Sequence, residues 1–306
     1  MEPRLEWLAL ARGGLDRVAD RRSDDAWVAA RWADPATRVL VVERGQALAR
    51  TAGGRPSLLL ISPQEAPEGD RYLLGLGEDD VAYFAVSGPL PAVEGSDTVD
   101  LHRIGAALDD LDSTLLTYAV ALENWHSRHG HCPRCGVPTD VARAGHTRVC
   151  PADGSQHFPR LDPAVIMLVR DDRDRALLGR APVWPERLVS VLAGFVEPGE
   201  SLEQAVAREV REEVGLVVDD VAYLGSQPWP LPQSLMLGFF CRARGDQDLT
   251  LDPEEIAEAR WYTREELRAA TEGGSILVPG SVSIARQLIE RWYGGRLTGS
   301  WEDARR

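Results

Sequence analysis

The chain has 306 residues, 44% of them hydrophobic, which is room for two packed domains and a small module. Its formal net charge is −14, from 48 acidic residues against 34 basic ones, and lysine is absent, so each of those basic residues is arginine. That balance excludes a broad nucleic-acid surface, which needs a basic stripe, and makes any anionic substrate depend on local arginine or metal. The N-terminal Met-Glu-Pro-Arg-Leu-Glu lacks the basic and apolar regions of a signal peptide, and no run of about 18 apolar residues exists to span a membrane. A cytoplasmic enzyme with no membrane partner is the expectation. Four cysteines in a chain of this size do not suggest a disulfide framework and fit a reducing compartment.

In chain order, residues 1–36 mix tryptophans with acidic–arginine pairs, and little is read from them. Apolar runs at 39–42, 57–61, 71–76 and 81–86 predict strands, the last two joined by a turn at Gly77-Glu78-Asp79-Asp80. These make a small, mostly β N-terminal domain whose function the residues do not state. Asp112-Ser113 then caps a predicted helix over 114–128, with Leu115, Leu116, Ala119, Val120 and Leu122 on one face. Next come Cys132-Pro133-Arg134-Cys135 and, after fourteen intervening residues, Cys150-Pro151-Ala152-Asp153, the cadence of a zinc ribbon. Asp153 stands where a fourth thiolate is usual. Cys132, Cys135, Cys150 and Asp153 form one complete Zn²⁺ site, His146 or His157 offers a substitute ligand, and a ribbon held by packing with free thiols is the alternative. Cys241, inside an apolar predicted strand, reads as core.

Further strands are expected at 165–169 and 176–178, around the 171–175 turn, and at 189–192 and 217–224. Alternation of strands and helices calls for a layered fold. Between the last two lies the most informative stretch of the chain, from Gly194 to Leu216. Ser201 with Gln204 forms a capping box and Gly215 suits a left-handed helix end, so a helix is predicted over 202–214. On a 3.6-residue period, Glu209, Glu212 and Glu213 share an arc beside the apolar stripe of Leu202, Ala205, Val206, Val210 and Val214. Three carboxylates so close repel one another unless cations intervene, and hard oxygen ligands suit Mg²⁺ or Mn²⁺. A solvated acidic face, with Arg208 and Arg211 as partners, is the plainer reading of such a helix taken alone.

The whole pattern runs Gly194, five residues, Glu200, seven residues, then Arg208-Glu209-Val210-Arg211-Glu212-Glu213-Val214-Gly215-Leu216. It resembles the Nudix box, GX5EX7REUXEEXGU, at every defined position. The resemblance implies an α+β chain: a Nudix α/β/α sandwich preceded by the mostly β domain and the zinc ribbon. The corresponding divisions are 1–125, 126–160 and 161–306. It also implies hydrolysis of a nucleoside diphosphate derivative, with Glu209, Glu212 and Glu213 holding divalent metal and Glu200 bracing Arg208.

A second motif, Ser226-Gln227-Pro228-Trp229-Pro230-Leu231-Pro232-Gln233-Ser234, has alternating prolines that forbid helix and stiffen an extended loop. It is similar to the SQPWPFPxS signature of the NADH pyrophosphatase (NudC-like) Nudix subfamily, with Leu231 where Phe is usual. That resemblance covers most of the chain and implies cleavage of NADH or NAD⁺ to nicotinamide mononucleotide and AMP by a homodimer. It implies a fourth acidic ligand at Glu255, although Glu255 also reads as part of a solvated helix start. It implies aromatic contacts to a base or nicotinamide from Phe195 and Phe158, the latter standing where Tyr is common. Further contacts are implied from Gln227, Ser234 and Ala285, with Trp229 reaching toward the partner chain's pocket. Glu213 is the first choice for general base and Glu212 the second. The same pocket would accept the NAD cap of an RNA 5′ end. A nucleotide-sensing module without catalysis is the reading from another class, and it would be expected to lose box carboxylates that are all present here.

Overall fold

The first regular element of the computed structural model, which describes residues 4–302, is a helix that the sequence reading did not place. Helix α1 (Asp25–Ala33) starts where the Asp24 carboxylate accepts the Trp27 N–H. Its Trp27, Val28 and Trp32 pack on Val39, Leu73, Phe84 and Val86, with Trp32 meeting Phe84 edge-on at 5.2 Å. Strands β1 (Arg38–Val42), β2 (Gln46–Ala52), β3 (Arg55–Leu58), β4 (Leu60–Ile61), β5 (Asp70–Leu76), β6 (Ala82–Ser87) and β7 (Asp97–Asp100) follow. They form a β4-β1-β6-β5 sheet and a β3-β2-β7 sheet. The apolar run at 57–61 is therefore two strands. The chain changes sheets at Leu59, whose N–H donates to Leu48.

After α2 (Leu101–Ile104) comes α3 (Asp110–Arg128), which begins four residues earlier than its apolar face suggests. Asp109 is its cap, accepting the Asp112 N–H at 2.8 Å. Asp112 is instead buried inside the first turn, where its Oδ2 accepts the Leu58 N–H at 2.8 Å. An acidic residue at a helix start reads as a cap from sequence, and only the β3 backbone reveals its other partner. Strands β8 (Asp140–Ala142), β9 (Thr147–Val149) and β10 (Gln156–His157) make an antiparallel ribbon in the order β10-β9-β8. These elements form one compact unit, Leu10–Leu161, which also includes Pro228–Gln233.

The second unit contains β11 (Asp162–Arg170), β12 (Ala176–Arg180), β13 (Leu192–Phe195), α4 (Leu202–Val214), β14 (Val218–Trp229), β15 (Ser234–Ala243), β16 (Glu258–Tyr262), α5 (Arg264–Glu272) and α6 (Ile284–Tyr293). Its sheet runs β14-β15-β11-β12-β16, with β13 also paired to β11. Strand period creates the layers. Val165, Met167 and Val169 of β11 face Ala205, Val206, Val210 and Val214 of α4. Ile166 and Leu168 of β11 join Ile284, Leu288, Ile289 and Trp292 of α6 on the opposite face. This is the α/β/α sandwich, and Cys241 lies in its core as expected.

Two strand expectations need correction. The strand expected at 189–192 runs instead over Leu192–Phe195, because it is Leu192 to Phe195 that pair antiparallel with β11. The strand expected at 217–224 continues to Trp229, so the proline motif is half strand, and only residues 230–233 form a turn. No helix among the described residues is long and apolar enough to cross a membrane.

Candidate active site

Helix α4 is fixed at both ends by its own sequence. The Ser201 and Gln204 side chains reciprocally cap the first turn, and Gly215 ends the helix at φ 76°. Burying the apolar stripe turns Glu209 and Glu213 toward the edge of β13, where both are less than 9% exposed. Gly194 makes this close approach possible, since a Cβ there would lie 1.9 Å from the Glu209 carboxyl carbon.

Arg208 organises the charges. Its Nε and Nη2 donate to the two Glu200 oxygens at 2.7 and 3.0 Å, and Nη2 also reaches the Phe195 carbonyl at 2.9 Å. Its Nη1 donates to Glu209 at 2.8 Å and to Glu212 at 2.9 Å. Paired guanidinium–carboxylate hydrogen bonds of this kind fix orientation as well as charge. They hold Glu200 below the usual carboxylate range.

Glu209, Glu213 and Glu255 each bring a carboxylate oxygen within 4.8 Å of the others. Glu255 arrives on a turn tied to α4 by the Asp252 N–H, which donates to the Glu213 carbonyl at 3.0 Å; no helix starts there. Burial first, then the charges of Glu209 and Glu255, push Glu213 up to about 8. Burial also raises Glu209, against the pull of Arg208. Glu213 Oε2 is buried without a hydrogen-bond partner, a costly state for a carboxylate. A divalent cation with hard-oxygen preference would satisfy that atom and relieve the repulsion, so the donor set fits Mg²⁺ or Mn²⁺. Glu212 lies outside this group, with its side chain 56% exposed and paired to Arg208.

The carboxylates line a cleft of about 650 Å³ together with Phe195, whose residue surface is 60% exposed. Trp184, on the loop after β12, lines it too. Sequence reasoning passed over Trp184, although its setting in Pro182-Val183-Trp184-Pro185 repeats the proline-flanked tryptophan of the second motif. Other expected contacts fall elsewhere. Gln227 is fully buried and donates to the Val282 carbonyl at 3.0 Å, and Ala285 is buried in the first turn of α6. Neither side chain is presented at a surface. Ser234 begins β15, opposite Asp162. Phe158 is 60% exposed and Trp229 sits edge-on to His102 at 6.3 Å, both within the other unit.

In the ribbon, Cys132, Cys135, Cys150 and Asp153 bring their ligand atoms within 4.8 Å of one another. Asp153 accepts both the Ser155 hydroxyl at 2.5 Å and the Ser155 N–H at 2.9 Å, which hold it down at about 2. Three sulfurs and an ionised carboxylate fit Zn²⁺. His146 is no substitute ligand: its Nε2 contacts the Leu73 carbonyl at 2.7 Å and its Nδ1 the Tyr118 hydroxyl at 3.3 Å. His157 Nε2 contacts the Ser155 hydroxyl at 3.2 Å.

Comparison with known proteins finds a family model over each of the two regions. Residues 160–278 match the NUDIX domain model, and residues 127–158 match the NADH pyrophosphatase zinc ribbon domain. A Mycobacterium bovis protein described as "NAD-capped RNA hydrolase NudC" is 46% identical over 297 residues, spanning 92% of this chain and 94% of its own. A Stutzerimonas stutzeri protein of the same description is 42% identical over 225 residues, covering 73% of this chain and 78% of its own. The Macaca fascicularis "NAD-capped RNA hydrolase NUDT12" is 34% identical, covering 91% of this chain and 71% of its own. The capped box helix, the carboxylate cluster beside it and the ribbon upstream thus sit in a hydrolase that belongs to the NudC-type, zinc-ribbon-bearing branch of the Nudix family.

Proposed function

We propose that this chain hydrolyses the diphosphate bond of NADH or NAD⁺, giving the nicotinamide mononucleotide and AMP. The observation that carries the reading is the Glu209, Glu213 and Glu255 cluster opening into the same cleft as the exposed Phe195 ring. Anionic oxygens shield a diphosphate from water, and bound Mg²⁺ or Mn²⁺ would neutralise them and acidify the attacking water. Glu209, Glu213 and Glu255 hold the metal, and Arg208 keeps Glu200, Glu209 and Glu212 in register. Glu213 would also be the first choice to accept the proton from the attacking water. Phe195 stacks a planar ring of the substrate. Gln227 and Ala285 act from beneath the surface, positioning backbone, and Phe158, Ser234 and Trp229 are assigned to substrate by their motifs. Cys132, Cys135, Cys150 and Asp153 hold a structural Zn²⁺, and the working form is a cytoplasmic homodimer, to be checked by metal analysis and light scattering.

The relatives' names favour a second reading on the same chemistry, removal of an NAD cap from RNA. An RNA tail replaces only a hydrogen on the adenosine ribose, and an end-reading pocket needs few contacts even on an acidic surface. The test is a product assay with Mn²⁺ or Mg²⁺ on NADH, NAD⁺, ADP-ribose and NAD-capped RNA at equal concentration. Fastest release of AMP with the reduced mononucleotide from NADH supports the first reading; capped RNA ahead supports the second. Tight NADH binding with no product from any of the four substrates would reject both in favour of sensing.

A further inference from the structure

We propose that Trp184 is a second aromatic platform of the active-site cleft, holding one planar ring of a two-ring nucleotide while Phe195 holds the other. The inference rests on the dinucleotide reading above and names a specificity-determining residue within it. A dinucleotide carries a planar heterocycle on each side of its diphosphate. The cleft offers the carboxylates, the 60% exposed Phe195 and, on the loop after β12, Trp184. Among the aromatic side chains that line this cleft, Phe195 alone could stack only one of the two rings.

The loop carrying Trp184 is not core. Its neighbour Val183 is 88% exposed, and Pro182 and Pro185 are exposed on either side. The backbone at Trp184 is nevertheless held firmly. The Trp184 N–H donates to the Ala181 carbonyl at 3.0 Å, and Arg180 Nη1 donates to the Trp184 carbonyl at 3.3 Å. The same loop is strapped to Leu277, whose N–H donates to the Arg187 carbonyl at 2.7 Å and whose carbonyl accepts the Val189 N–H at 3.0 Å.

Trp301 hangs from this strap as well. Its N–H donates to the Val278 carbonyl and its indole N–H to the Leu277 carbonyl, both at 3.0 Å. Its ring stands 4.8 Å from the Trp184 ring at 64°, an edge-to-face contact. The buried Arg286 guanidinium fixes the intervening tail through the Leu297 and Gly299 carbonyls. Two indoles suspended from one short segment make a pre-ordered wall, with Trp301 a positioning residue behind Trp184. Pre-ordering an aromatic face removes part of the entropy cost of stacking a base.

The test is steady-state kinetics of the full chain with Mn²⁺ on NADH and on ADP-ribose, which lacks nicotinamide. Trp184→Ala should raise KM for NADH about tenfold, an effect typical of losing one stacked base, with kcat within about twofold. Trp184→Phe should restore most of the affinity, and Trp301→Ala should give a smaller rise. If the effect disappears with ADP-ribose, Trp184 holds nicotinamide; if it persists, Trp184 holds adenine; either supports the proposal. Unchanged KM on both substrates, or a loss of kcat that Phe does not rescue, overturns it. Should the wild-type chain release no AMP from NADH, the substrate reading fails separately. The platform is then judged by the calorimetric Kd of NADH, which Trp184→Ala must weaken.

Discussion

Two clusters of anionic side chains in this protein invite a cation, and they are built in opposite ways. The Nudix cluster uses hard carboxylates on α4 and on the turn before β16, set beside an open cleft and partly neutralised by Arg208. The ribbon cluster uses soft thiolates on two tight knuckles with one carboxylate, and backbone N–H groups order it: Gly136 donates to Cys132 and Gly154 to Cys150, at 2.8 and 2.9 Å. An open site leaves coordination positions for water and substrate, whereas a closed one stabilises fold. The difference teaches which damage should abolish chemistry and which should abolish structure.

Breaking the carboxylate side should have the largest effect. Glu213→Gln is expected to lower turnover by about a thousandfold, consistent with losing several kcal/mol of metal-assisted stabilisation, while the circular dichroism spectrum stays native. Near-normal turnover would reject Glu213 as ligand and base. On the ribbon side, Asp153→Ala should lower zinc affinity by about a hundredfold in chelator competition, with little change in KM, and Asp153→Cys should restore or tighten binding. Zinc retained at wild-type affinity in Asp153→Ala would leave Asp153 a bystander.

A smaller effect comes from pH. Burial, with Arg22 and Arg17 nearby, pulls His146 down to about 4 from its ordinary 6.5. A histidine depressed on folding is neutral in the native state, so its contribution is complete above about 6.5 and is lost as pH falls toward 4. Melting temperature should therefore decline between those limits, and His146→Gln should flatten the decline; an unchanged slope contradicts the assignment. Smallest of all, Leu231→Phe should alter KM for NADH by less than about threefold, because Leu231 sits at the surface of its turn, 39% exposed.

The same contrast explains how much was legible beforehand. The site helix is readable to the residue because its cap, apolar stripe and C-terminal glycine are local, and the grouping of Cys132, Cys135, Cys150 and Asp153 because knuckle spacing is local. Helix α1 was missed since its three large apolar residues, Trp27, Val28 and Trp32, gain meaning only against Phe84 and Leu73, far along the chain. Strands β2 and β7 have no long apolar run to mark them: β2 buries only Ala47, Leu48 and Ala49, and β7 only Val99, so each shows as a strand only through its pairing. Gln227 was read as a substrate contact from its motif, yet its amide is committed to Val282, a partner 55 residues away. Glu212 was grouped with Glu209 and Glu213 by helical angle, but Arg208 at i−4 draws its carboxylate outside the cluster.

The most direct test of the account is AMP release from NADH as Mn²⁺ is titrated into metal-free protein, wild type beside Glu213→Gln. The account predicts no turnover without metal, a saturable rise in the wild type, and Glu213→Gln that binds NADH but turns over about a thousandfold more slowly. Turnover that persists in excess chelator, or equal rates from the two proteins, would contradict it.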